Sequence, residues 1–170
     1  PPSMERTTMS SPGARPAAMT PTLSPMIWTI YLSGEVHTPW REELEEQAAA
    51  RGLPVRFTSA VTDHPASDAA GDHLPPQSEG FWRDQKSAGV NAMRTRTLIR
   101  QCDMAVVRFG DEYKQWNAAF EAGSLAALGK PYVTLHGAHQ VHALKEVDTG
   151  AMAWAETVEQ VIETLAYVTG

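Results

Sequence analysis

The sequence predicts an α/β protein in which helices cover both faces of a parallel sheet. The clearest evidence lies in residues 103–136, where an apolar run from Met104 to Phe109 precedes an Ala-rich, helix-like segment and a second apolar run, Tyr132–Leu135. Strand, helix and strand in that order form a βαβ unit whose strands are parallel and buried. The same alternation recurs before and after this unit. We therefore expect a doubly wound, three-layer α/β/α sandwich with about five parallel strands.

The first part of the chain supplies another βαβ unit. Residues 27–32 are mostly β-branched or aromatic, which predicts the first buried strand. Thr38 is expected to cap the following helix, because the proline after it favours a first helical turn. Gly52 is expected to end that helix, and residues 55–58 are expected to form the second strand.

A long polar loop and a long helix are expected next. Residues 60–80 contain several turn signals, and a loop of that length is often functional or mobile. A helix is expected over residues 81–101, with a weak point at Gly89 or Asn91. The helix of the central unit is expected over residues 115–128.

The chain closes with one more strand and helix. Residues 140–147 indicate a short helix or an irregular connection, and residues 151–154 a short last strand. Thr157 is expected to cap a final amphipathic helix. Its apolar stripe consists of Val158, Val161, Ile162, Leu165 and Ala166. The complete order of elements predicts a sheet of flavodoxin-like or related strand order.

Composition places the chain among ordinary, mildly acidic globular proteins. It has 170 residues, a formal net charge of −6 and 42% apolar residues, and residues 26–170 are expected to form a single domain. No concentration of basic residues indicates a nucleic acid polymer as partner. No apolar run approaches the roughly 20 residues that cross a bilayer, so no membrane partner is expected and the cytoplasm is the default location. The single cysteine, Cys102, is expected to be a buried small hydrophobe.

Residues 1–25 are expected to be a disordered extension or an over-long translation start. They are mostly Pro, Ser, Thr, Ala and Met without periodicity, and they lack the continuous apolar core of a secretory signal. Met26 is the expected functional beginning, and the segment before it is expected to carry no chemistry.

Several common catalytic motifs are missing from the sequence. The loop Ser33-Gly34-Glu35 offers one glycine only, which argues against a dinucleotide dehydrogenase or a P-loop enzyme, and no cofactor is expected. No G-x-S-x-G elbow is present, which removes the commonest class of hydrolase. The spacing of His136, His139 and His142 could suggest zinc, but a ligand-lining loop or plain surface is the favoured interpretation, and no metal is expected.

Carboxylates near strand ends are the best candidates for chemistry. Glu121 lies on the helix of the central unit, Asp84 follows the polar loop, and Asp111 comes directly after the third strand. In parallel sheets the ligand crevice lies beyond the carboxyl ends of the strands. Paired carboxylates at such a crevice suit glycosidic chemistry. For Asp111 a turn residue or helix cap is the favoured alternative, whereas for Glu121 the alternative of an exposed helix position is less favoured.

The residues around these carboxylates have their own expected roles. Small residues beside Glu121 should let its helix lie close to the sheet: Ala119, Ala122, Gly123, Ala126 and Ala127. A stacking wall for a base could come from Tyr31, Phe81, Trp82, Tyr113 and Trp116, although Tyr31 above all could be core. Arg94, Arg96 and Arg100 form a positive cluster, for which a solvated helix face is favoured over attraction of a phosphate or of a partner subunit.

Three segments resemble the nucleoside 2-deoxyribosyltransferases, namely the first strand and loop at 30–34, the third strand at 103–107 and the helix motif at 117–123. Residues 26–168 as a whole resemble the YtoQ family more closely. The most specific parts of that resemblance are Tyr113-Lys114-Gln115-Trp116-Asn117 and Ala127-Leu128-Gly129-Lys130-Pro131.

The resemblance implies a mechanism and a set of site residues. Glu121 matches the catalytic nucleophile, which would attack the anomeric carbon of a ribosyl or deoxyribosyl group and form a glycosyl-enzyme intermediate. Asp84 is the first candidate for the acid that protonates the departing base, and Asp111 is the second. A small nucleoside or nucleotide-like ligand would be bound by Tyr31, Ser33, Gly34, Glu35, His37, Trp116 and Asn117. Relatives commonly complete their sites across a dimer interface, so a homo-oligomer is also implied.

Two other functions remain open at this point. One is a non-catalytic sensor of a nucleotide derivative, in which Glu121 would only hydrogen-bond a ribose hydroxyl. The other is a different small-molecule activity peculiar to the YtoQ group, with His37 and Glu35 as participants.

Overall fold

Five parallel strands form one sheet at the centre of the protein, whose computed structural model describes residues 26–76 and 78–170. The strands are β1 (Trp28–Gly34), β2 (Val55–Ser59), β3 (Met104–Arg108), β4 (Tyr132–Leu135) and β5 (Ala153–Ala155). Their order is β2-β1-β3-β4-β5, and every neighbouring pair is parallel. This flavodoxin-like order confirms the predicted sheet. The extension predicted for residues 1–25 lies outside the described residues.

Helices cover both faces of the sheet, which confirms the three-layer sandwich. The helices are α1 (Trp40–Ala50), α2 (His64–Asp68), α3 (Gly80–Gln101), α4 (Trp116–Ala127), α5 (Val141–Gly150) and α6 (Val158–Thr169), with a 3-10 turn at Ala138–Gln140. One apolar cluster joins α1 and α6 to one face of the sheet, and a second joins α3, α4 and α5 to the other face. Among the described residues, no helix is both long and apolar enough to cross a membrane.

The strand β1 is buried on both faces, which explains its unbroken apolar sequence. Its Ile30 and Leu32 pack in the cluster with α1 and α6, whereas Tyr31 packs on the opposite face with α3 and α4. Alternate residues of a strand point to opposite faces, so Ser33 lies on the same face as Tyr31. Two polar side chains of β1 are thereby directed under α4.

The start of α1 differs from its prediction. The helix begins at Trp40 with Pro39 at the N-cap position, and no side chain caps it. Thr38 was expected to be the cap, but its Oγ1 donates a hydrogen bond to Glu35 Oε2 at 2.5 Å. The prediction was wrong because this hydroxyl is engaged by the loop before the helix. The predicted stop at Gly52 is confirmed by its positive φ of 63°.

The polar region before α3 includes helical structure that the sequence analysis did not predict. It contains the short helix α2, which Asp63 caps by accepting a hydrogen bond from the Ala66 backbone N–H. The predicted weak point at Gly89 or Asn91 is wrong, since α3 runs without a break through both. Asn91 Nδ2 donates to the Ser67 carbonyl at 2.9 Å and so ties α2 to α3.

Helix α4 lies close to the sheet through only part of its small-residue surface. Ala118 and Ala122 are almost fully buried, and Ala119 packs against the same apolar cluster. Gly123 has nothing within 4 Å of the position of a Cβ atom, and Ala126 and Ala127 are exposed as well. The close approach therefore depends on the alanines that flank Glu121.

Candidate active site

A cleft of about 770 Å³ opens between α3 and α4, beyond the carboxyl ends of β1 and β2. It is lined by the loops that follow β1 and β2, by one face of α3, and by the first turns of α4 with the loop before them. Strand order reverses at β1 and β3, and ligands of doubly wound sheets bind at such a reversal. The volume suits a small molecule.

Glu121 of α4 lines this cleft and is anchored from below by β1. Its Oε2 atom accepts hydrogen bonds from Ser33 Oγ at 2.5 Å and from Tyr31 Oη at 3.0 Å. Its Oε1 atom accepts no hydrogen bond from any described residue. Two hydrogen bonds therefore hold one carboxylate oxygen, and the other oxygen is available to contact a ligand.

The sheet register explains why β1 meets Glu121. Tyr31 and Ser33 pair with Ala105 and Val107 of β3 and point to the face that α4 covers. The two hydroxyls reach Glu121 beneath α4, where the buried side chains of Ala118 and Ala122 are small. The Glu121 carboxylate thus contacts Tyr31 and Ser33, which lie 90 and 88 positions away from it in the chain.

Burial and hydrogen bonding act on Glu121 in opposite directions. Burial raises the pKa of Glu121, while the hydrogen bonds from Ser33 and Tyr31 and the charge of Arg41 lower it. Overall the pKa lies above its ordinary value of 4.5. The pKa of Tyr31 is raised as well, by burial and then by the Glu121 charge, so Tyr31 is a hydrogen-bond donor at neutral pH.

Glu35 organises the loop that follows β1. It is 4% exposed, and its carboxylate accepts hydrogen bonds from the backbone N–H groups of His37 and Thr38 and faces Arg108 Nε at 3.4 Å. Burial acts to raise the pKa of Glu35, but the hydrogen bonds from Thr38 and His37 and the charge of Arg108 hold it below the ordinary value. The carboxylate therefore stays charged as a structural anchor of the cleft wall.

Gly34 makes the turn at the end of β1 possible. Its φ is 108°, and a Cβ atom there would lie 1.9 Å from the carbonyl oxygen of Arg108. Only glycine fits this position without displacing the backbone of β3.

Arg41 is the site residue that the sequence analysis missed. It is 8% exposed, and its terminal nitrogens donate to the carbonyls of Glu35 at 2.5 Å and Gly34 at 3.1 Å. Its Nε is buried and has no hydrogen-bond partner among the described residues. Burial lowers the pKa of Arg41 and the charge of Glu35 raises it; a guanidinium remains charged in either case. A cation in the first turn of a helix opposes the helix dipole, and that is the signal that could have drawn attention to it.

Aromatic and imidazole rings form the upper wall of the cleft. His37 contacts the ring of Tyr113 at a centroid distance of 4.5 Å and stacks on His64 at 5.6 Å. Trp116 is 72% exposed and Phe120 is 67% exposed, and both line the cleft. This wall can stack against a flat ring.

The predicted site residues fall into three groups. Those that line the cleft are Gly34, Glu35, His37, Asp84, Trp116, Asn117 and Glu121. Tyr31 and Ser33 lie beneath the lining, buried and in contact with Glu121. Asp111 is outside the lining, where its carboxylate meets Gln140 Nε2 at 3.0 Å and His139 Nε2 at 3.3 Å.

Two residues of the predicted stacking wall lie elsewhere. Phe81 and Trp82 are outside the cleft lining and contact each other edge to face at 5.0 Å. They precede the part of α3 that lines the cleft, which begins at Asp84.

The histidines after β4 do not lie as the sequence suggested. His136 is 1% exposed and is neither surface nor part of the cleft lining. Its Nε2 lies 3.1 Å from Asp148 Oδ1, and its ring stacks on Trp154 at 5.3 Å. Across residues 26–76 and 78–170, no three histidine, cysteine or acidic side chains are grouped so that they could hold a metal ion.

Comparison with known proteins places this arrangement in a family. Residues 31–169 match the family model described as nucleoside 2-deoxyribosyltransferase YtoQ. The chain is 35% identical over 144 residues to the uncharacterized protein YtoQ of Bacillus subtilis (strain 168), and the match covers 84% of this chain and 97% of that protein.

Two solved structures are similar as well. A conserved protein from Enterococcus faecalis V583 has a TM-score of 0.57 at 14% identity, and the match covers 84% of this chain and 99% of that one. A 2-deoxyribosyltransferase from Bacillus psychrosaccharolyticus has a TM-score of 0.48 at 21% identity, covering 81% and 95% respectively. The likeness to the Enterococcus protein agrees with the fold described above.

Proposed function

The chain belongs to the YtoQ family, and we propose that it cleaves or transfers the N-glycosidic bond of a nucleoside or nucleotide-like small molecule. Glu121 is the nucleophile. The observation that carries this proposal is the asymmetric anchoring of the Glu121 carboxylate, whose Oε2 is held by Ser33 and Tyr31 while Oε1 has no partner among the described residues.

The geometry supports nucleophilic attack by a carboxylate. A nucleophile must be held in one orientation while its reacting atom stays available. Two neutral donors on Oε2 fix the orientation and stabilise the charged form. Oε1 then attacks the anomeric carbon, the bond from that carbon to the base nitrogen breaks, and its electron pair leaves with the base. Water attacking the glycosyl-enzyme gives hydrolysis, and a second base gives transfer.

The departing base needs a proton, and Asp84 is the first candidate to supply it. Asp84 lines the same cleft as Glu121, one turn into α3. Asp111 remains the second candidate, although it lies outside the cleft lining and is occupied by Gln140 and His139. An Asp84→Asn variant is expected to lose more activity on substrates with poor leaving groups than on substrates with good ones. Equal losses on both would remove Asp84 from this role.

Release of free base is the direct test of the proposed reaction. We would incubate the protein with ribonucleosides, deoxyribonucleosides and their 5′-monophosphates and follow the bases by chromatography. Glu121→Gln keeps the shape of the side chain and removes its charge, so release should fall to background. Glu112→Gln is the matched control, because Glu112 is an exposed carboxylate outside the cleft lining. If the folded wild-type protein released no base from any compound of the panel, the proposal would be contradicted.

The same variants separate the enzyme from the alternatives. A sensor would bind a nucleotide derivative, never release base, and lose only part of its affinity in Glu121→Gln. An activity that depends on His37 would be lost in His37→Ala, and full activity of that variant would exclude it. His37 contacts Tyr113 and His64 at the cleft wall, so a modest effect on binding alone is expected in our account.

A homo-oligomer is part of the proposal. Trp116 and Phe120 of α4 line the cleft and expose 72% and 67% of their surface. Such an exposed apolar group often marks a protein contact, and a second copy of the chain is the proposed occupant. Sedimentation of the wild-type protein should show a species larger than a monomer, and Phe120→Glu should shift it toward monomer. A monomer at micromolar concentration would refute this part.

A further inference from the structure

The cleft carries four cations, and none of them forms an ion pair with a carboxylate among the described residues. They are Arg41, Arg94, Arg96 and Lys114. Three arginines outside the cleft lining do form such pairs, namely Arg51 with Glu163, Arg83 with Asp72 and Arg108 with Glu35. Within the described residues the cleft cations thus form no close ion pair, although the charges of Glu35 and Glu121 act on Arg41.

Arg41 is the most informative of these cations. Burying a charge is costly unless it is fully paired or hydrogen-bonded. Arg41 is 8% exposed, its two terminal nitrogens have only backbone carbonyls as acceptors, and its Nε has none among the described residues. Gln115, which lines the same cleft, also has a buried amide nitrogen without an acceptor in the described part of the chain. Two polar side chains of the cleft lining therefore have hydrogen-bonding groups that no described residue satisfies, and Arg41 also places a positive charge beside the cleft.

The sheet register places Arg94 on the same side of the cleft as Arg41. Arg94 donates to the carbonyl of Ser59 at 3.2 Å, and Ser59 pairs with Leu32 in the sheet. Arg41 donates to the carbonyl of Gly34, two residues beyond Leu32. Strand spacing and rise put these two carbonyls about 8 Å apart. The two guanidinium groups, held at these carbonyls by hydrogen bonds of 3.1 and 3.2 Å, therefore lie at the same end of the cleft.

We propose that the substrate is anionic, a nucleoside 5′-monophosphate in preference to a free nucleoside, with Arg94 and Arg96 binding the phosphate and the charge of Arg41 adding to the positive potential of the cleft. The inference rests on the proposed function for the identity of the remainder of the ligand. A phosphate monoester suits the site because its oxygens accept several charge-assisted hydrogen bonds at once.

Binding to a protein that cannot turn over separates this inference from catalysis. In a Glu121→Gln background, calorimetry would compare each nucleoside with its own 5′-monophosphate, with inorganic phosphate as competitor. Arg94→Gln and Arg96→Gln would be added singly. Arg41→Gln is not used, because it would also remove the hydrogen bonds from Arg41 to the loop after β1. Arg100→Gln is the matched control, because Arg100 is exposed on the same helix outside the cleft lining.

We expect at least one monophosphate to bind roughly tenfold or more tightly than its nucleoside, and each of the two variants to remove most of that preference. Arg100→Gln should leave it unchanged. Equal binding of the paired ligands, no monophosphate binding at millimolar concentration, or the same loss in all three variants would overturn the inference. Base release from nucleosides without any phosphate preference would support the proposed function and refute the phosphate site. Arginine-dependent monophosphate binding without base release would support the phosphate site and refute the proposed function.

Discussion

The Ser33→Ala variant isolates the contribution of one hydrogen bond to the charge of Glu121. The serine is 1% exposed, and its Oγ donates to Glu121 Oε2 at 2.5 Å. Alanine removes that oxygen and little else. The hydrogen bond lowers the pKa of Glu121 against the effect of burial, so its loss must raise the pKa further and favour the neutral acid.

The size of the effect follows from the strength of such bonds. A hydrogen bond to a charged group contributes about 1.5–3 kcal/mol, and each 1.36 kcal/mol is a tenfold change in proton affinity. The affinity of Glu121 for a proton should thus rise roughly tenfold to a hundredfold. Since the nucleophile must be ionised, the acidic limb of the pH profile of kcat/KM should move to higher pH, and the rates should converge on the wild-type value at alkaline pH.

Two measurements check this reasoning. The first is the pH profile of base release, and the second is an NMR titration of the Glu121 carboxyl carbon, which does not depend on turnover. Ser124→Ala is the control, because Ser124 also lines the cleft but donates to the Phe120 carbonyl at 2.9 Å. An acidic limb that stays in place or moves to lower pH would refute the argument. A loss of equal size at every pH would mean that Ser33 positions Glu121 without tuning its charge.

Three further predictions concern the scaffold, each measured as the free energy of unfolding in denaturant. Glu35→Gln should cost about 1.5–3 kcal/mol at neutral pH; because the pKa of Glu35 is depressed below 4.5 in the folded protein, this difference should persist above pH 4.5 and shrink as the pH falls further. Gly34→Ala should cost roughly 2–5 kcal/mol, because its Cβ would lie 1.9 Å from the Arg108 carbonyl oxygen. Leu165→Ala should cost about 2–5 kcal/mol, because Leu165 is 0% exposed, without changing ligand binding.

Each of these predictions has a control or a contrary result. Tyr167→Ala, at a position 91% exposed on the helix of Leu165, should leave stability nearly unchanged. A Glu35→Gln difference that grows on acidification would contradict the depressed pKa. Unchanged stability of Gly34→Ala would mean that the loop can relax away from Arg108, contrary to the close packing described here.

The fold was predictable because local patterns and burial agree along most of the chain. The run around Ile30 to Leu32 is apolar without alternation because both faces of β1 are covered. The start of α1 was not predictable, since the hydroxyl of Thr38 is engaged by Glu35, three residues earlier. The uninterrupted course of α3 was also missed, because the tether from Asn91 to Ser67 is a tertiary contact that no local signal reports.

The candidate site could be predicted only in part. The position of Glu121 after a buried strand, together with a family resemblance, identified the carboxylate. Its contacts with Tyr31 and Ser33 join distant parts of the chain and follow from sheet register, which the sequence leaves open. Arg41 was missed because it donates to backbone carbonyls, and every residue type has a backbone carbonyl, so the sequence does not show which ones it contacts. His136 was misjudged for a similar reason, as its burial depends on Trp154 and Asp148 from later elements.

The most direct test of the central claim is a search for a glycosyl group on Glu121. The protein would be mixed with a substrate from which it releases base, and the reaction would be quenched rapidly. After digestion, the mass of the peptide that contains Glu121 would be measured by mass spectrometry. Our account predicts a mass increase equal to the sugar moiety on that peptide, absent in Glu121→Gln and unchanged in Glu112→Gln. Base release that continues at the wild-type rate in Glu121→Gln, with no adduct on this peptide, would contradict it.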